Sequence, residues 1–171
     1  MAIFILTGYP GTGKTTAVIR LAEMLKQRGV SVGGIVSRDI RKDYVRIGFE
    51  FVDISSNETA LLASVEGTGP KVGKYKVDLE GCRFAVNVLR RAIADAEVIA
   101  CDELGPLEFK SKEFIDLVKH MLALDKHIIV VVHKKLNHPV IEQIREKASF
   151  MINLDIQNRN KVPYLLLERL E

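Results

Sequence analysis

Hydrophobic and polar positions along the chain form blocks that predict strands and helices in alternation. Runs dominated by apolar residues, typical of strands buried on both faces of a parallel sheet, occupy residues 2–7, 97–102 and 127–132. Apolar residues at helical spacing predict helices over residues 14–28, 81–95, 111–124 and 138–147. This alternation predicts a single α/β domain over residues 1–171, with a mostly parallel central sheet flanked by helices.

The segment between the first two helices is instead rich in strand signals. Residues 31–37 and 45–54 predict two strands, and the polar connection Asp39–Asp43 predicts that they form a β-hairpin insert. Residues 59–65 and 72–77 predict two short strands on either side of a turn rich in glycine and proline.

A glycine-rich loop separates the first predicted strand from the first predicted helix. It reads Gly8-Tyr9-Pro10-Gly11-Thr12-Gly13-Lys14-Thr15, which matches the P-loop pattern in the strand–loop–helix context that gives the pattern its meaning. Its glycines allow a tight turn whose N–H groups point at an anion, and the helix N-terminus adds partial positive charge. The predicted nucleotide-binding residues are Gly8, Tyr9, Pro10, Gly11, Thr12, Gly13, Lys14, Thr15 and Thr16.

Two side chains of this loop and two acids after a later strand carry the predicted chemistry. Lys14 is placed to reach the β- and γ-phosphates of a nucleotide, and the Thr15 hydroxyl to ligate Mg²⁺. Asp102 ends an apolar strand, where open α/β sheets build their sites, and is predicted to hold the same Mg²⁺. Glu103 follows directly, so we predict that it is the general base that activates the attacking water.

A basic segment, His133-Lys134-Lys135, follows the predicted strand at 127–132. We expect His133 on the same rim as Asp102, where it senses the γ-phosphate or bonds the attacking water; the alternative is a histidine that only begins a surface loop. Lys134 and Lys135 either supply charge to the transition state in place of an arginine finger or are solvated. The sequence leaves both alternatives open.

The C-terminal part of the chain predicts two final strands, at residues 149–154 and 162–170. The polar turn between them contains Asn158-Arg159-Asn160. It differs from the Asn-Lys-x-Asp element that reads guanine in GTPases, and the chain contains no such element. A guanidinium stacks on any base, so Asn158 and Arg159 are predicted to contact the nucleotide without selecting one base.

Composition narrows the classes of partner. The net charge is +3 over 171 residues with scattered basic side chains, which argues against nucleic acid. No apolar stretch approaches a membrane span, and the N-terminus lacks the features of a signal peptide. Cys82 and Cys101 provide neither a disulfide framework nor zinc spacing. We therefore expect a cytoplasmic monomer.

Together these motifs resemble those of a known family. Over essentially its whole length the chain is similar to the small P-loop nucleoside-triphosphatases of thermophiles, a family that includes the human cancer-related nucleoside-triphosphatase. The similarity rests on Gly8–Thr16, Arg46-x-Gly48-Phe49, Asp102–Phe109, the residues near His133 and Asn158–Asn160. The stretch that begins with Asp102-Glu103 is the most distinctive of these.

The resemblance implies a RecA-like sheet and slow, Mg²⁺-dependent hydrolysis of ATP, GTP and other triphosphates. It also implies that Glu103 activates water, that Glu108 sits near the site, and that the Asn158-Arg159 turn lies by the base. Pro106 departs from the family pattern, in which a small or basic residue is frequent, and is expected to stiffen its loop.

Hydrolysis of ATP, GTP, CTP and UTP is therefore the leading prediction, and two alternatives stay open. A P-loop kinase uses the same phosphate cradle but delivers the phosphoryl group to an acceptor, usually under a mobile, arginine-rich lid. No such lid is evident late in the chain, although the hairpin that contains Arg38, Arg41 and Arg46 lies in a position to cover a site. The second alternative is a nucleotide-dependent switch or assembly ATPase.

Overall fold

The computed structural model describes residues 1–171 and shows one sheet of nine strands with five α-helices on its two faces. The strands are β1 (Ile3–Thr7), β2 (Val32–Lys42), β3 (Val45–Asp53), β4 (Thr59–Ser64), β5 (Lys71–Val72), β6 (Tyr75–Val77), β7 (Val98–Leu104), β8 (His127–Val132) and β9 (Phe150–Asn153). The helices are α1 (Lys14–Gln27), α2 (Leu79–Asp95), α3 (Lys112–Met121), α4 (Pro139–Lys147) and α5 (Val162–Leu170). A turn of 3-10 helix covers Glu108–Lys110.

The sheet has a parallel half and an antiparallel half. Its order is β5-β6-β4-β3-β2-β7-β8-β1-β9. Strands β2, β7, β8, β1 and β9 pair in parallel, while β3, β4, β6 and β5 continue the same sheet with antiparallel pairing. The predicted α/β fold, a central sheet flanked by helices with a β-insert, is confirmed. The insert extends the sheet instead of standing apart from it.

Both faces of the central strands β1, β7 and β8 are buried, which explains their apolar runs. In β1, Ile3 and Ile5 point into a core covered by α2, α3 and α4, whereas Phe4 and Leu6 point into a second core covered by α1 and α5. Side chains alternate across a strand, so a strand with a helix layer on each face needs apolar residues at every position. Cys101 is buried in the first of these cores.

The prediction of a final strand over residues 162–170 is wrong, because this segment is helix α5. Its buried residues are Val162, Pro163, Leu166 and Leu167, a spacing that places them on one face of a helix, and they join the core around α1. Pro163 stands in the first turn, where a missing N–H is tolerated. A short apolar run does not distinguish a strand from a buried helix, which is the reason for the error.

The predicted hairpin exists, but its turn lies elsewhere. Strand β2 continues through Lys42, and only Asp43 and Tyr44 form the turn, both with positive φ (48° and 64°) as a two-residue hairpin loop requires. The prediction is therefore wrong for residues 39–42, which belong to β2, and right only for Asp43. Most of these residues are polar because this part of the hairpin is exposed to solvent. The predicted strand 72–77 is likewise interrupted, and forms β5 and β6.

The parallel strands bring the candidate residues to one edge of the sheet. Strands β1, β7, β8 and β9 all end at this carboxyl edge, where the segments beginning at Gly8, Gly105, His133 and Leu154 emerge. Strand β7 extends two residues beyond its predicted end, so Asp102 and Glu103 lie within its carboxyl end. Ile35 pairs with Cys101, so the later residues of β2 continue past this edge and the β2–β3 hairpin projects beyond it. The edge is where open α/β sheets bind ligands.

Candidate active site

The phosphate-binding loop spans residues 8–13, between the end of β1 and the start of α1. Gly8 has a φ of 150°, and a Cβ at this position would lie 2.4 Å from the carbonyl oxygen of Leu154. The loop therefore packs tightly against the segment after β9, and only glycine fits there. Gly13 caps α1 in a left-handed conformation, and the first turn of α1 contains no acidic residue that would compete with an anion.

The ammonium of Lys14 lies over the loop that precedes it. Its Nζ donates to the carbonyl oxygens of Gly8 at 3.0 Å and Tyr9 at 2.9 Å, and the Thr12 hydroxyl also donates to the Tyr9 carbonyl at 2.9 Å. These bonds keep a positive charge at the mouth of the loop. Phosphate oxygens can take the place of the carbonyl acceptors when a nucleotide enters.

Thr15 and Asp102 meet although they are 87 residues apart in the chain. The Thr15 hydroxyl donates to Oδ2 of Asp102, whose residue is only 2% exposed. Burial raises the pKa of Asp102 to about 7, against the lowering effects of the Thr15 hydrogen bond and of the Lys14 charge. A buried carboxylate beside a hydroxyl and a phosphate-binding loop is the donor set that suits Mg²⁺, a cation that takes oxygen ligands and shares them with phosphates.

Three carboxyl groups gather at the end of β7, since Glu103 and Glu108 lie close to Asp102. A Cβ on Gly105 would stand 3.2 Å from Oε1 of Glu103 and 3.0 Å from Oε2 of Glu108, so both side chains flank the same point. Burial raises the pKa of Glu103, while the charges of His133 and Lys14 oppose this rise. The raised pKa brings this carboxyl closer to the range in which a general base works well near neutral pH.

Glu108 is the more deeply buried of the two, at 3% exposure. The N–H of Gly105 donates to its Oε2 at 3.1 Å. Burial is the main reason that its pKa is raised well above the ordinary value, and the charge of Glu103 adds to the effect. The sequence points to Glu108 only through the family resemblance. A single acid between Leu107 and Phe109 was the available signal.

His133 begins the loop after β8 and is tied to the end of β7. Its backbone N–H donates to the carbonyl oxygen of Leu104 at 3.0 Å, and its Nδ1 accepts from the N–H of Lys135 at 3.2 Å. The histidine thus stands on the same rim as the acids. Its charge influences the pKa of Glu103, which places the two side chains within electrostatic reach.

Lys134 reaches the phosphate-binding loop, a contact that the sequence does not reveal. Its Nζ lies 3.8 Å from the centroid of the Tyr9 ring, in a cation–π arrangement. The contact depends on how the loop after β8 folds back over the edge of the sheet, and no periodicity or spacing in the chain encodes that path.

The turn with Asn158 and Arg159 joins β9 to α5, not two strands as predicted. Both ends of the Asn158 amide are bonded locally: Oδ1 accepts from the N–H of Asp155 and Nδ2 donates to the carbonyl of Asn153, each at 2.9 Å. Arg159 instead lies against the phosphate-binding loop, because its Cδ would be 3.3 Å from a Cβ on Gly13. Asn158 therefore shapes the turn, and the aliphatic part of Arg159 lies beside the phosphate-binding loop.

Comparison with protein families agrees with this site. The model of a family described as NTPase matches residues 3–167. The chain belongs to this NTPase family. It is 36% identical over 166 residues to the nucleoside-triphosphatase THEP1 of Methanopyrus kandleri, covering 96% of this chain and 92% of that protein. It is 38% identical over 163 residues to the THEP1 of Methanocaldococcus jannaschii, covering 95% and 92%.

Two solved structures share the fold of this NTPase. The crystal structure of THEP1 from the hyperthermophile Aquifex aeolicus has a TM-score of 0.85 and 27% sequence identity, with 99% of each chain covered. The solution structure of a human cancer-related nucleoside triphosphatase has a TM-score of 0.84 and 30% identity, with 100% of this chain and 98% of that chain covered. The resemblance to small P-loop nucleoside-triphosphatases is confirmed.

Two further observations concern membranes and metal ions. None of the helices is both long enough and apolar enough to cross a membrane. No group of three or more His, Cys, Asp or Glu side chains is arranged to hold a metal ion.

Proposed function

We propose that this NTPase hydrolyses nucleoside 5′-triphosphates to the diphosphate and phosphate with Mg²⁺ as cofactor, and that it accepts ATP, GTP, CTP and UTP. The observation that carries the proposal is the hydrogen bond from Thr15 to Asp102. It joins the phosphate-binding loop to the strand end that presents Glu103. A phosphate cradle, a metal-binding pair and a base thus occupy one rim, which is what phosphoryl transfer to water needs.

The reaction proceeds by attack of water on the γ-phosphorus. Glu103 accepts the proton of the water as its oxygen bonds to phosphorus, and the bond from phosphorus to the β–γ bridging oxygen breaks, with the electron pair remaining on the diphosphate. Lys14 balances negative charge on the β- and γ-oxygens, and His133 orients the water or the γ-phosphate from the neighbouring loop. The helix N-terminus of α1 supports the other phosphates.

The residues that would hold Mg²⁺ are Thr15, through its hydroxyl, and Asp102, through its carboxylate. When bound, the cation neutralises charge on the β- and γ-phosphate oxygens. Hard oxygen donors fit this ion, and the Asp102 carboxyl is deeply buried without a salt bridge, which leaves a charge that a cation would compensate.

Broad base use follows from what surrounds the nucleotide site. The aliphatic carbons of Arg159 pack beside Gly13. Its guanidinium would stack on any base. The amide of Asn158 is bonded within its own turn. A site without dedicated hydrogen bonds to base edges rejects alternatives only by modest factors.

Hydrolysis is favoured over transfer to another acceptor by the state of the hairpin arginines. Arg38 pairs with Glu50 at 2.6 Å, and Arg41 and Arg46 pair with Asp39 at 2.9 and 3.6 Å. In this structure these arginines are paired with carboxylates of their own hairpin, so they do not form the arginine-rich lid that a kinase closes over two substrates. The family of nucleoside-triphosphatases points the same way. We further propose that the protein acts as a cytoplasmic monomer.

The test is release of phosphate from each of the four triphosphates with Mg²⁺, with EDTA, and with no added acceptor. We expect phosphate and diphosphate in equal amounts from every triphosphate, and no release in EDTA. Lys14→Ala should abolish most of the turnover, because it removes the charge that faces the β- and γ-oxygens. Unchanged hydrolysis by Lys14→Ala, or release only after an acceptor is added, would contradict the proposal.

A further inference from the structure

A second lysine stands at the mouth of the phosphate-binding loop beside Lys14. The Lys134 ammonium lies 3.8 Å from the centre of the Tyr9 ring, and the Tyr9 carbonyl accepts from Lys14 at 2.9 Å. Two cations, from different segments of the chain, therefore converge on one residue of the loop. The loop with its two lysines suits a ligand end that carries several negative charges.

The turn that carries Lys134 is bonded to β7 at its start and is closed by two hydrogen bonds of its own. The N–H of His133 donates to the carbonyl of Leu104, and the N–H of Leu136 donates to the carbonyl of His133 at 3.1 Å. The N–H of Lys135 donates to the His133 ring. The turn is thereby fastened to the end of β7, next to Glu103. Both of its lysines are exposed, and Lys134 is the one that contacts the Tyr9 ring.

The contact between Lys134 and Tyr9 is easily exchanged for a stronger one. Tyr9 is 63% exposed, and a cation–π contact at an exposed ring is weak compared with a charge-assisted hydrogen bond to a phosphate oxygen. The ring thus holds the ammonium close to the site without competing strongly with a triphosphate for it.

We propose that Lys134 is a catalytic residue, whose ammonium leaves the Tyr9 ring and contacts the transferring phosphoryl group. It supplies in cis the positive charge that an arginine finger supplies in other nucleotide hydrolases. The inference rests on the proposed function and deepens it. It assigns the role to Lys134 and not to Lys135, an assignment that the sequence leaves open.

The first experiment measures kcat and KM for ATP with Mg²⁺ in the full chain. Lys134→Met keeps the length of the side chain and removes its charge, Lys134→Arg keeps the charge, and Lys135→Met is the matched control. We expect Lys134→Met to lower kcat about 10- to 100-fold with a smaller change in KM. Lys134→Arg should restore most of the rate, and Lys135→Met should stay within about twofold of the parent.

The second experiment measures equilibrium binding, which does not require turnover. Affinity for MgADP is compared with affinity for MgADP plus aluminium fluoride, which mimics the transferring phosphoryl group. Lys134→Met should weaken binding of the aluminium fluoride complex at least about tenfold and leave binding of MgADP nearly unchanged. A lysine that merely anchors its loop would alter both affinities alike.

The outcomes separate this inference from the proposed function. If the parent protein releases no phosphate, the proposed function fails. If the parent hydrolyses ATP but Lys134→Met and Lys135→Met have the same kcat and the same affinity for the aluminium fluoride complex, the assignment of Lys134 is overturned while the hydrolase stands. A loss that Lys134→Arg does not restore at all also overturns it, because charge would not be the cause.

Discussion

The Thr15 hydroxyl donates its hydrogen bond to Asp102, so the first turn of α1 is fastened to the carboxyl end of β7. This bond brings a P-loop hydroxyl and a strand-end carboxylate into one ligand pair. The Asp102 carboxyl is buried, and burial raises its pKa although the Thr15 hydrogen bond acts in the opposite direction. The site therefore carries a charge that is costly in the absence of a cation and useful in its presence.

Asp102→Asn should stabilise the metal-free protein while it abolishes Mg²⁺-dependent turnover. The folded pKa of Asp102, about 7, lies above its ordinary value of 3.8, so ionisation of this group reduces stability as the pH rises from about 4 through 7. The amide does not ionise. The unfolding free energies of the variant and the parent are compared in EDTA. The difference in favour of the variant should be about 2–4 kcal/mol larger at pH 8 than at pH 4.

The measurement is urea unfolding in EDTA at both pH values. Asp125→Asn is the control, because that side chain is 95% exposed and its removal should change little. Equal changes for Asp102→Asn at pH 4 and pH 8 would show that burial does not raise the pKa of this carboxyl.

Glu103→Gln should bind nucleotide and fail to hydrolyse it. The substitution keeps the shape of the side chain and removes the proton acceptor, a loss that typically lowers the rate by about 10²–10⁴-fold. Single-turnover phosphate release measures the rate, and binding of labelled ATP in the same buffer measures affinity. A normal rate in Glu103→Gln would move the base role to Glu108 or His133, which lie on the same rim.

The unfolding free energy of Glu108→Gln should fall less with rising pH than that of the parent protein. Burial raises the pKa of Glu108 well above its ordinary value of 4.5, so the folded protein holds this proton more tightly than the unfolded chain does. Stability contributed by this group is therefore lost as the pH rises above about 4.5. Glutamine still accepts from the N–H of Gly105 but cannot ionise.

Unfolding free energies of the parent and of Glu108→Gln, measured from pH 5 to pH 9, check this prediction. The parent curve should fall more steeply with pH than the curve of the variant. Glu23→Gln on the exposed side of α1 is the control and should follow the parent. Parallel curves for the parent and Glu108→Gln would mean that the Glu108 carboxyl ionises as an ordinary surface acid does.

Arg159→Ala should raise KM for all four triphosphates without changing their order. Loss of one stacked guanidinium is expected to raise KM about three- to tenfold, because stacking does not depend on the edge groups of the base. In the parent, the efficiencies for ATP, GTP, CTP and UTP should spread over about one to two orders of magnitude. Arg20→Ala, an exposed position on α1, is the control.

Steady-state kinetics on the four triphosphates decides this prediction. A preference of about a thousandfold for one base would contradict the prediction of broad base use, since such a ratio needs hydrogen bonds to a base edge. A change of ranking in Arg159→Ala would likewise show that the guanidinium reads base identity.

Much of the site was predictable because its signals are local. The P-loop needs only a strand, glycines at fixed offsets and a helix start, and all of these lie within about twenty residues, a reach that sequence patterns describe well. Asp102 and Glu103 were predictable because an acid after a buried strand emerges at the carboxyl edge. The three uninterrupted apolar runs likewise indicated burial on both faces, which the two cores confirm.

Other features were decided by contacts between segments far apart in the chain. An apolar run of the length of residues 162–170 is compatible with a strand or with a helix. The segment forms a helix because one of its faces is buried against the apolar surface of α1. The β2–β3 hairpin is longer than its polar sequence indicates, since solvent surrounds its projecting half and apolar residues are not needed there.

The sequence pattern also does not predict three close approaches at the site. These are the approach of Lys134 to Tyr9, of Arg159 to Gly13 and of Glu108 to Glu103. Loops have no periodicity that records where they lead, and the direction of each loop is set by the hydrogen bonds that fasten it to neighbouring strands. The sequence by itself determined that this protein has a phosphate-binding loop and an acid pair on an α/β sheet. Only the packing of that sheet decided which lysine lies against the loop, and how closely Arg159 and Glu108, both already indicated by the sequence and its family resemblance, approach Gly13 and Glu103.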